Sequence, residues 1–360
     1  MTRLGDVCAI RYGKDHKKLS DGSVPTYGSG GIMRYVDTAI CEQPSVLIPR
    51  KGTLGNLFYT DEPFWTVDTL FWTDIDQTKI VPKYLYYQLK QKDLASYNVG
   101  TAVPSLTVEV LNEIDLDVPS IDKQRRIVEV LNFFDSKIAL NNQLNDYLEQ
   151  LVDGKFQELF GGLNFNATLS DVAEITMGQS PAGSSYNEEG AGIIFYQGRG
   201  EFGWRFPKRR LYTTEPKRLA CEGDVLMSVR APVGDLNVAF ENCCIGRGLA
   251  AIHSETPSFA LYLMRFLKPQ LEAYNGEGTV FGSINGKALK SLEVALPSHN
   301  EVMQFESFAA PIDALIRSNE NETRKLNNLR NYLLPKLMSG EIDVSKVDLT
   351  QLTNNHLADC

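Results

Sequence analysis

The chain has 360 residues, with 36 Lys and Arg against 45 Asp and Glu, a formal net charge of -9 and 43% hydrophobic residues. That composition provides a real core and sets aside collagen-like and disordered classes; with no run of about 18 apolar residues, no transmembrane helix is expected. Taken alone, the acidic balance disfavours a polyanion as partner.

In chain order, residues 1–120 form a mixed segment rich in Gly, Pro and aromatics. Short β-type runs at 45–48 and 56–59 are bounded by turn residues. Residues 121–160 then read as one long helix, and Gly161-Gly162 ends it as a linker. A second mixed segment, 161–298, contains a β-type run at 224–229, and a second long helix follows at 299–340. Ser298 with Glu301 three residues later is a capping box, Gly340 is a C-cap, and 341–360 is a tail. The expected class is α+β.

The two halves are a tandem duplication. Thr101-Ala-Val-Pro-Ser-Leu106 matches Thr279-Val-Phe-Gly-Ser-Ile284, and Leu116-Asp-Val-Pro-Ser120 matches Val294-Ala-Leu-Pro-Ser298, both at an offset of 178. The same offset relates Asp135 to Asp313, Ile138 to Ile316, Leu151 to Leu329 and Leu159 to Leu337. Leu4-Gly-Asp-Val7 matches Leu169-Ser-Asp-Val172, and Pro49–Gly55 matches Val229–Gly234 around the final glycine.

Both helices carry apolar residues at alternating steps of three and four, the seam of a coiled coil. In the first, Ile127, Leu131, Phe134 and Ile138 lead through Asn141 to Leu144, Leu148 and Leu151. In the second, Phe305, Phe308, Ile312 and Leu315 lead through Asn319 to Leu326, Leu329, Leu333 and Leu337. Two such helices in one chain pair most simply with each other, antiparallel, in a pseudo-two-fold arrangement with one mixed domain at each end. At ~1.5 Å per residue each runs ~55–60 Å. Asn141 and Asn319 are equivalent positions; they either fix the register from within the seam or lie solvated at its edge.

Enzyme signatures are missing. No phosphate-binding Gly-x-x-x-x-Gly-Lys-Ser/Thr loop, nucleophile elbow or His-Glu-x-x-His motif occurs, and the Asn-Pro-Pro-aromatic motif of amino-methyltransferases is missing. The six cysteines and four histidines show no metal spacing, so no metal is expected. Cys243-Cys244 reads as core packing, and without an apolar leader a reducing, cytoplasmic setting is expected.

The charge is uneven. Residues 199–218 hold seven cations, among them Arg199, Arg205, Lys208, Arg209 and Arg210, against two acids, with Phe202, Trp204, Phe206 and Tyr212 interleaved. Such a cluster is either a solvated face or a surface for phosphates and base edges. Two similar readers on a helical ruler favour the second, since a DNA turn is ~34–36 Å and the ruler is longer.

Taken in order, the motifs resemble the specificity subunit of a bacterial type I restriction–modification system, over nearly the whole chain. The first half carries Val24-Pro-Thr-Tyr-Gly-Ser-Gly-Gly31, Ile48-Pro-Arg-Lys-Gly-Thr-Leu-Gly55, Phe64-Trp-Thr-Val-Asp-Thr69 and Gln124-Arg-Arg-Ile-Val128. The second carries Met177-Gly-Gln-Ser-Pro181, the stretch 224–234, Gly246-Arg-Gly248 and Leu333-Leu-Pro-Lys-Leu-Met-Ser-Gly340. The resemblance implies two target recognition domains, each reading half of a bipartite sequence in double-stranded DNA. It implies helices that set the gap and dock two methyltransferase subunits. Those subunits carry S-adenosylmethionine, and a restriction subunit using ATP and Mg2+ joins some complexes. This chain itself is then non-catalytic, binds no cofactor and has no membrane partner. DNA contacts are expected from Tyr27, Gly28, Ser29, Gly30, Gly31, Arg50 and Lys51 in the first domain, with Gly52 and Gly55 shaping a turn. In the second they are expected from Gln197, Arg199, Arg205, Lys208, Arg209, Arg210 and Arg230. Arg50 and Arg230 either touch DNA or brace the fold. Departures include Pro104 opposite Gly282, and Val302-Met-Gln304 where the first helix has Gln-Arg-Arg. Two other readings share the sequence: a specificity subunit whose partner both cuts and methylates, and a coiled-coil scaffold without a DNA role.

Overall fold

A computed structural model of the chain describes residues 2–276 and 282–348. The repeat residues at 279–281 and the tail beyond 348 lie outside the described residues. The chain divides into two compact units: residues 1–140 with 322–360, and residues 141–321. Each unit thus holds one mixed domain and a stretch of both long helices, Ile121–Phe160 and His299–Ser339.

Unit 1 is built on two sheets. The four-stranded antiparallel sheet has the order Cys8–Tyr12, Leu70–Ile75, Ser45–Pro49, Phe58–Thr60. Its Ser45–Pro49 strand is buried along its whole length, which is why its sequence is an unbroken apolar run rather than an alternation. In the second sheet, Asp21–Gly28 lies between Gly31–Val36 and the short parallel strand Trp65–Thr66. The pair Thr2–Arg3 and Asp115–Leu116 returns the chain to its start just before the first long helix.

Unit 2 repeats the plan. Its four-stranded sheet runs Glu174–Met177, Leu249–His253, Val225–Ser228, Leu236–Val238. A second sheet of five strands contains the parallel pair Ile193–Tyr196 and Cys243–Ile245. Ala167–Thr168 pairs with Glu293–Val294 as the closing tie. Cys243 and Cys244 are fully buried, and burial pushes the Cys243 thiol up to about 12, so it packs as a small apolar group. The described cysteines are all free.

The helix ends follow the sequence signals. Ser298 Oγ donates to Glu301 Oε2 at 2.7 Å, and the Glu301 N–H returns a bond to Ser298 Oγ. Gly340 closes the second helix at φ +79°, a conformation in which glycine carries no Cβ penalty. Gln124, from the Gln-Arg-Arg motif, is buried: its Oε1 accepts the Val81 N–H and its Nε2 donates to the Pro119 and Lys79 carbonyls.

Within each unit the helices pair antiparallel. In unit 1 Asp135 meets Arg330 while Lys137 meets Glu322. In unit 2 Asn141 meets Asn319 while Phe156 and Phe160 stack on Phe305. Ile127, Leu131, Phe134, Phe305 and Leu326 are buried seam residues as expected, and Ile138, Leu148, Ile312 and Leu333 are half-buried. Asn141 and Asn319 lie inside the seam: Asn319 Nδ2 donates to Asn145 Oδ1 at 2.8 Å, forming a buried polar layer. Beyond that layer the expected stripe fails. Leu144, Leu151, Leu315 and Leu329 face outward, and the buried positions are Asn145, Val152 and Phe156 on one helix and Ile316 and Thr323 on the other. The cause is a second apolar stripe one position away from the seam: Leu144, Tyr147 and Leu151 also step by three and four, yet Tyr147 and Leu151 are 60% and 54% exposed.

An acid at the same repeat position anchors each mixed domain to the helices. In unit 1 Asp135 accepts from Tyr87 Oη at 2.5 Å and from Arg330 Nη1 at 2.7 Å. In unit 2 Asp313 accepts from Tyr262 Oη at 3.0 Å and Arg205 Nη1 at 3.0 Å.

Candidate nucleic-acid interface

In unit 2 the parallel pairing of Ile193–Tyr196 with Cys243–Ile245 continues into two loops that meet. The Gly246 N–H donates to the Tyr196 carbonyl at 2.8 Å. A Cβ on Gly246 or Gly248 would come within 2.7 and 2.9 Å of the Gln197 carbonyl oxygen, so a larger residue at either position would force these unit 2 loops to shift. Between the loops lies a cleft of about 240 Å³ lined by Ser180, Gln197, Arg199, Ser228, Arg230 and Arg247. Arg199 is held by Asp235 at 2.6 Å. The Arg247 backbone N–H donates to Ser180 Oγ at 3.2 Å while its side chain is exposed. Among the described residues Arg230 and Arg247 make no ion pair, leaving two guanidinium forks facing solvent beside Gln197.

Unit 1 builds the same cradle from the same backbone bonds. Val67 N–H to the Tyr27 carbonyl repeats Gly246 to Tyr196, and Arg50 N–H to the Thr69 carbonyl repeats Val229 to Gly248. Gly52 N–H to Pro104 repeats Ala231 to Gly282, and the bridge of Lys51 to Ser105 repeats that of Arg230 to Ser283. Position for position, Gly28 corresponds to Gln197, Lys51 to Arg230 and Asp68 to Arg247. Here the cleft is about 740 Å³, and Asp15, His16, Lys17, Ser29, Gly30 and Asp68 are among its lining. His16 Nδ1 is buried and without a hydrogen-bond partner among the described residues. One backbone design therefore carries arginines in one unit and a mixture of acids, histidine and lysine in the other.

The sequence-predicted residues divide accordingly. Gly28, Ser29 and Gly30 line the unit 1 cleft, and Gln197, Arg199 and Arg230 line the unit 2 cleft. Lys51 is exposed on the bridge to Ser105, and Gly52 takes the left-handed φ of +91°, whereas Gly55 does not. Gly31 is likewise left-handed at φ +115°. Tyr27 is half-buried against Phe58, and burial raises its phenol above 10. Arg50 braces the turn: its Nη1 donates to the Asp68 carbonyl at 3.2 Å and its guanidinium lies 5.3 Å from the Tyr12 ring centre. Arg210 pairs with Glu201 and Arg209 with Glu241, while Lys208 is exposed beside them.

Arg205 does not belong to this surface. It is 4% exposed and turned inward, bonded to Asp313, Glu149 and Tyr262. The run of cations at 199–218 is thus not one patch, because successive residues point in different directions. Asp15, His16 and Asp68 were missed, and Arg247 was quoted only within the Gly246-Arg-Gly248 motif; Asp68 corresponds to Arg247 one residue off the 178 offset, a match that the paired backbone bonds reveal. In the same unit, Cys221, Asp224 and His253 bring donor atoms within 4.8 Å of one another, although sequence spacing gives no metal site.

A family model for the type I restriction modification DNA specificity domain matches the chain twice, over residues 1–150 and 166–331. The chain belongs to this family. A chain named as the specificity subunit of the type I restriction enzyme MjaX, from Methanocaldococcus jannaschii, is 34% identical over 298 residues, 75% of this chain and 70% of the relative. The MjaIX specificity subunit of the same organism is 23% identical over 348 residues, 84% and 78% of the two chains. The crystal structure of a type I restriction–modification S subunit from M. genitalium shares the fold, with a TM-score of 0.63 at 16% identity over 93% of this chain and 95% of that one. Family membership and the double match accord with the duplicated cradle. No helix among the described residues is long and apolar enough to cross a membrane.

Proposed function

We propose that this chain is the non-catalytic reader of a type I restriction–modification complex in the cytoplasm, with each unit recognising one half of a bipartite sequence in double-stranded DNA. The observation that carries the reading is the repeated cleft with divergent side chains. Arginine is the side chain suited to the O6 and N7 acceptors of guanine, and a carboxylate suits the N4 donor of cytosine. Arg230 and Arg247 favour a guanine-containing half-target for unit 2, and Asp68 with Asp15 favours a cytosine-containing one for unit 1. The long helices fix the gap between the halves.

Two methyltransferase subunits supply S-adenosylmethionine chemistry, and a restriction subunit supplies ATP- and Mg2+-dependent steps; the cofactors are theirs. The outward leucines support such docking. Leu151 in unit 2 and Leu329 in unit 1 are separated by the repeat offset, so each unit presents an apolar helix face at an equivalent place. Exposed leucine and tyrosine on a helix that already has a buried seam suit a partner's apolar groove.

The test is to co-express the chain with its methyltransferase partner and map methylated adenines across a genome. One interrupted, asymmetric motif is expected. Methylation without a common motif, or with the same half-sequence repeated, overturns the reading.

A further inference from the structure

Cys221, Asp224 and His253 come together through strand pairing rather than sequence spacing. Leu219–Ala220 ends at Cys221, and the turn Cys221-Glu222-Gly223-Asp224 is closed by the Asp224 N–H donating to the Cys221 carbonyl at 3.1 Å. Gly223 sits at φ +88°, the left-handed geometry that lets this turn be so tight. The Cys221 N–H donates to Asp224 Oδ2 at 2.8 Å, which fixes the carboxylate across the turn. Asp224 then leads into Val225–Ser228, whose partner strand ends at His253, with Val225 opposite Ile252. That register sets the imidazole beside the carboxylate, His253 Nδ1 lying 2.7 Å from Asp224 Oδ1.

A thiol, an imidazole and a carboxylate converge from two segments, their donor atoms within 4.8 Å of one another. In a tetrahedral zinc site, ligand distances of ~2.0–2.3 Å put donor atoms roughly 3.5 Å apart. Reaching that geometry takes about 1 Å of side-chain movement from the thiol and imidazole, both of which are exposed. Asp224 is buried and held by the turn, so it is the fixed member. The spacing Cys-x-x-Asp is a zinc-knuckle turn with its second sulfur replaced by oxygen. The donor set discriminates among metals. A thiolate with an imidazole suits Zn2+ or Co2+, whereas Mg2+ and Ca2+ demand oxygen ligands.

We propose that Cys221, Asp224 and His253 bind one Zn2+ ion, with water in the fourth position. The ion ties the turn after Leu219–Ala220 to the end of Leu249–His253 and so joins the two sheets of unit 2. The proposal is independent of which DNA sequence is read.

The test uses the full-length chain stripped of metal. Zn2+ is titrated against a chromophoric chelator, and Co2+ is used as a spectroscopic substitute. One equivalent should bind, and Co2+ should give a near-ultraviolet thiolate-to-metal charge-transfer band. Cys221→Ser should abolish that band. Losing even an outer-shell partner costs 10–100-fold in affinity, so Cys221→Ser or His253→Ala should weaken Zn2+ by at least about tenfold. Both replaced side chains are exposed, so neither variant should unfold the chain, and thermal melting checks this. A Cys360→Ser variant controls for the thiol that lies outside the described residues. No charge-transfer band, or a band that survives Cys221→Ser and vanishes in Cys360→Ser, overturns the proposal.

Discussion

Replacing Arg205 separates bracing from reading. Its guanidinium holds Asp313 at 3.0 Å, Glu149 at 3.1 Å and the Tyr262 hydroxyl at 3.1 Å, at 4% exposure. Breaking a buried ion pair by removing one partner costs about 3–5 kcal/mol, mostly through the charge left behind. Here the charge left behind is chiefly one. Glu149 keeps Arg265 at 2.8 Å, whereas among the described residues Asp313 keeps only the Tyr262 hydroxyl. Arg205 Nε also has no partner to lose. Arg205→Ala should therefore fall at the low end, about 3 kcal/mol, or roughly a 150-fold change in the folding equilibrium. For a unit spanning 141–321 that corresponds to a loss of about 6–12 °C in Tm. Urea denaturation of wild type, Arg205→Ala and the double variant Arg205→Met with Asp313→Asn measures it. The double variant should recover much of the loss, because neither buried charge then lacks its partner. The methylated sequence should be unchanged in every variant that folds. A stability change below about 1 kcal/mol together with an altered target sequence would refute the assignment of Arg205 to the fold.

Arg247→Ala and Arg230→Ala should each weaken binding and relax one half-target only, by about 1–3 kcal/mol per lost bidentate contact; methylome mapping reads this, and a change in the other half counts against it. Asp68→Asn should change the half read by unit 1 and leave the half read by unit 2 intact. Leu151→Glu should change stability by no more than about 0.5 kcal/mol yet abolish co-purification of the methyltransferase, since more than half of the side chain is open to solvent; persistent co-purification argues against that face. At Asp135, burial raises the carboxyl, but hydrogen bonds from Tyr87 and Arg330 and the charge of Lys83 outweigh it and hold the group below 3.8. A depressed folded pKa stabilises above the unfolded value and ceases to do so as pH falls through the folded one. The stability gap between wild type and Asp135→Asn, about 1.5 kcal/mol, should thus hold from pH 7 to 5 and close below 3.8 in urea titrations.

Features set by local pattern were legible in the sequence. The 178-residue offset, the capping box at Ser298, the glycine stop at Gly340 and the seam from Ile127 to Phe134 each depend on residues close along the chain or on simple recurrence. Direction was not legible. Leu151 and Leu329 carry the spacing of a seam, but a helix with two adjacent apolar stripes can bury either one, and only the packing of Val152 and Ile316 decides. Arg205 lies in a run of cations, yet one step in an irregular loop turns a side chain from solvent to core. The cleft partners Arg247 and Asp68 stand apart in sequence from Gln197 and Gly28, joined to them by a parallel strand pair. Cys221 and His253 likewise meet through strand pairing, here the antiparallel pair of Val225–Ser228 with Leu249–His253.

Scaffold and cleft are separable, so one fold can carry two clefts with different side chains. The backbone bonds that set the cradle, Val67 to Tyr27 in one unit and Gly246 to Tyr196 in the other, involve no side chain. Side chains on the cradle can therefore change without loss of the loops' mutual position. The anchoring acids behave oppositely. Asp135 and Asp313 stay aspartate in both units, each holding a tyrosine hydroxyl from its mixed domain. A change there would loosen the domain from its helix, whereas Arg247 and Asp68 are both exposed and can differ without touching a buried anchor. Exchanging those two cleft residues should accordingly move specificity between units at little expense in stability, while replacing an anchor, as in Asp135→Asn, should cost about 1.5 kcal/mol and leave the target sequence unchanged.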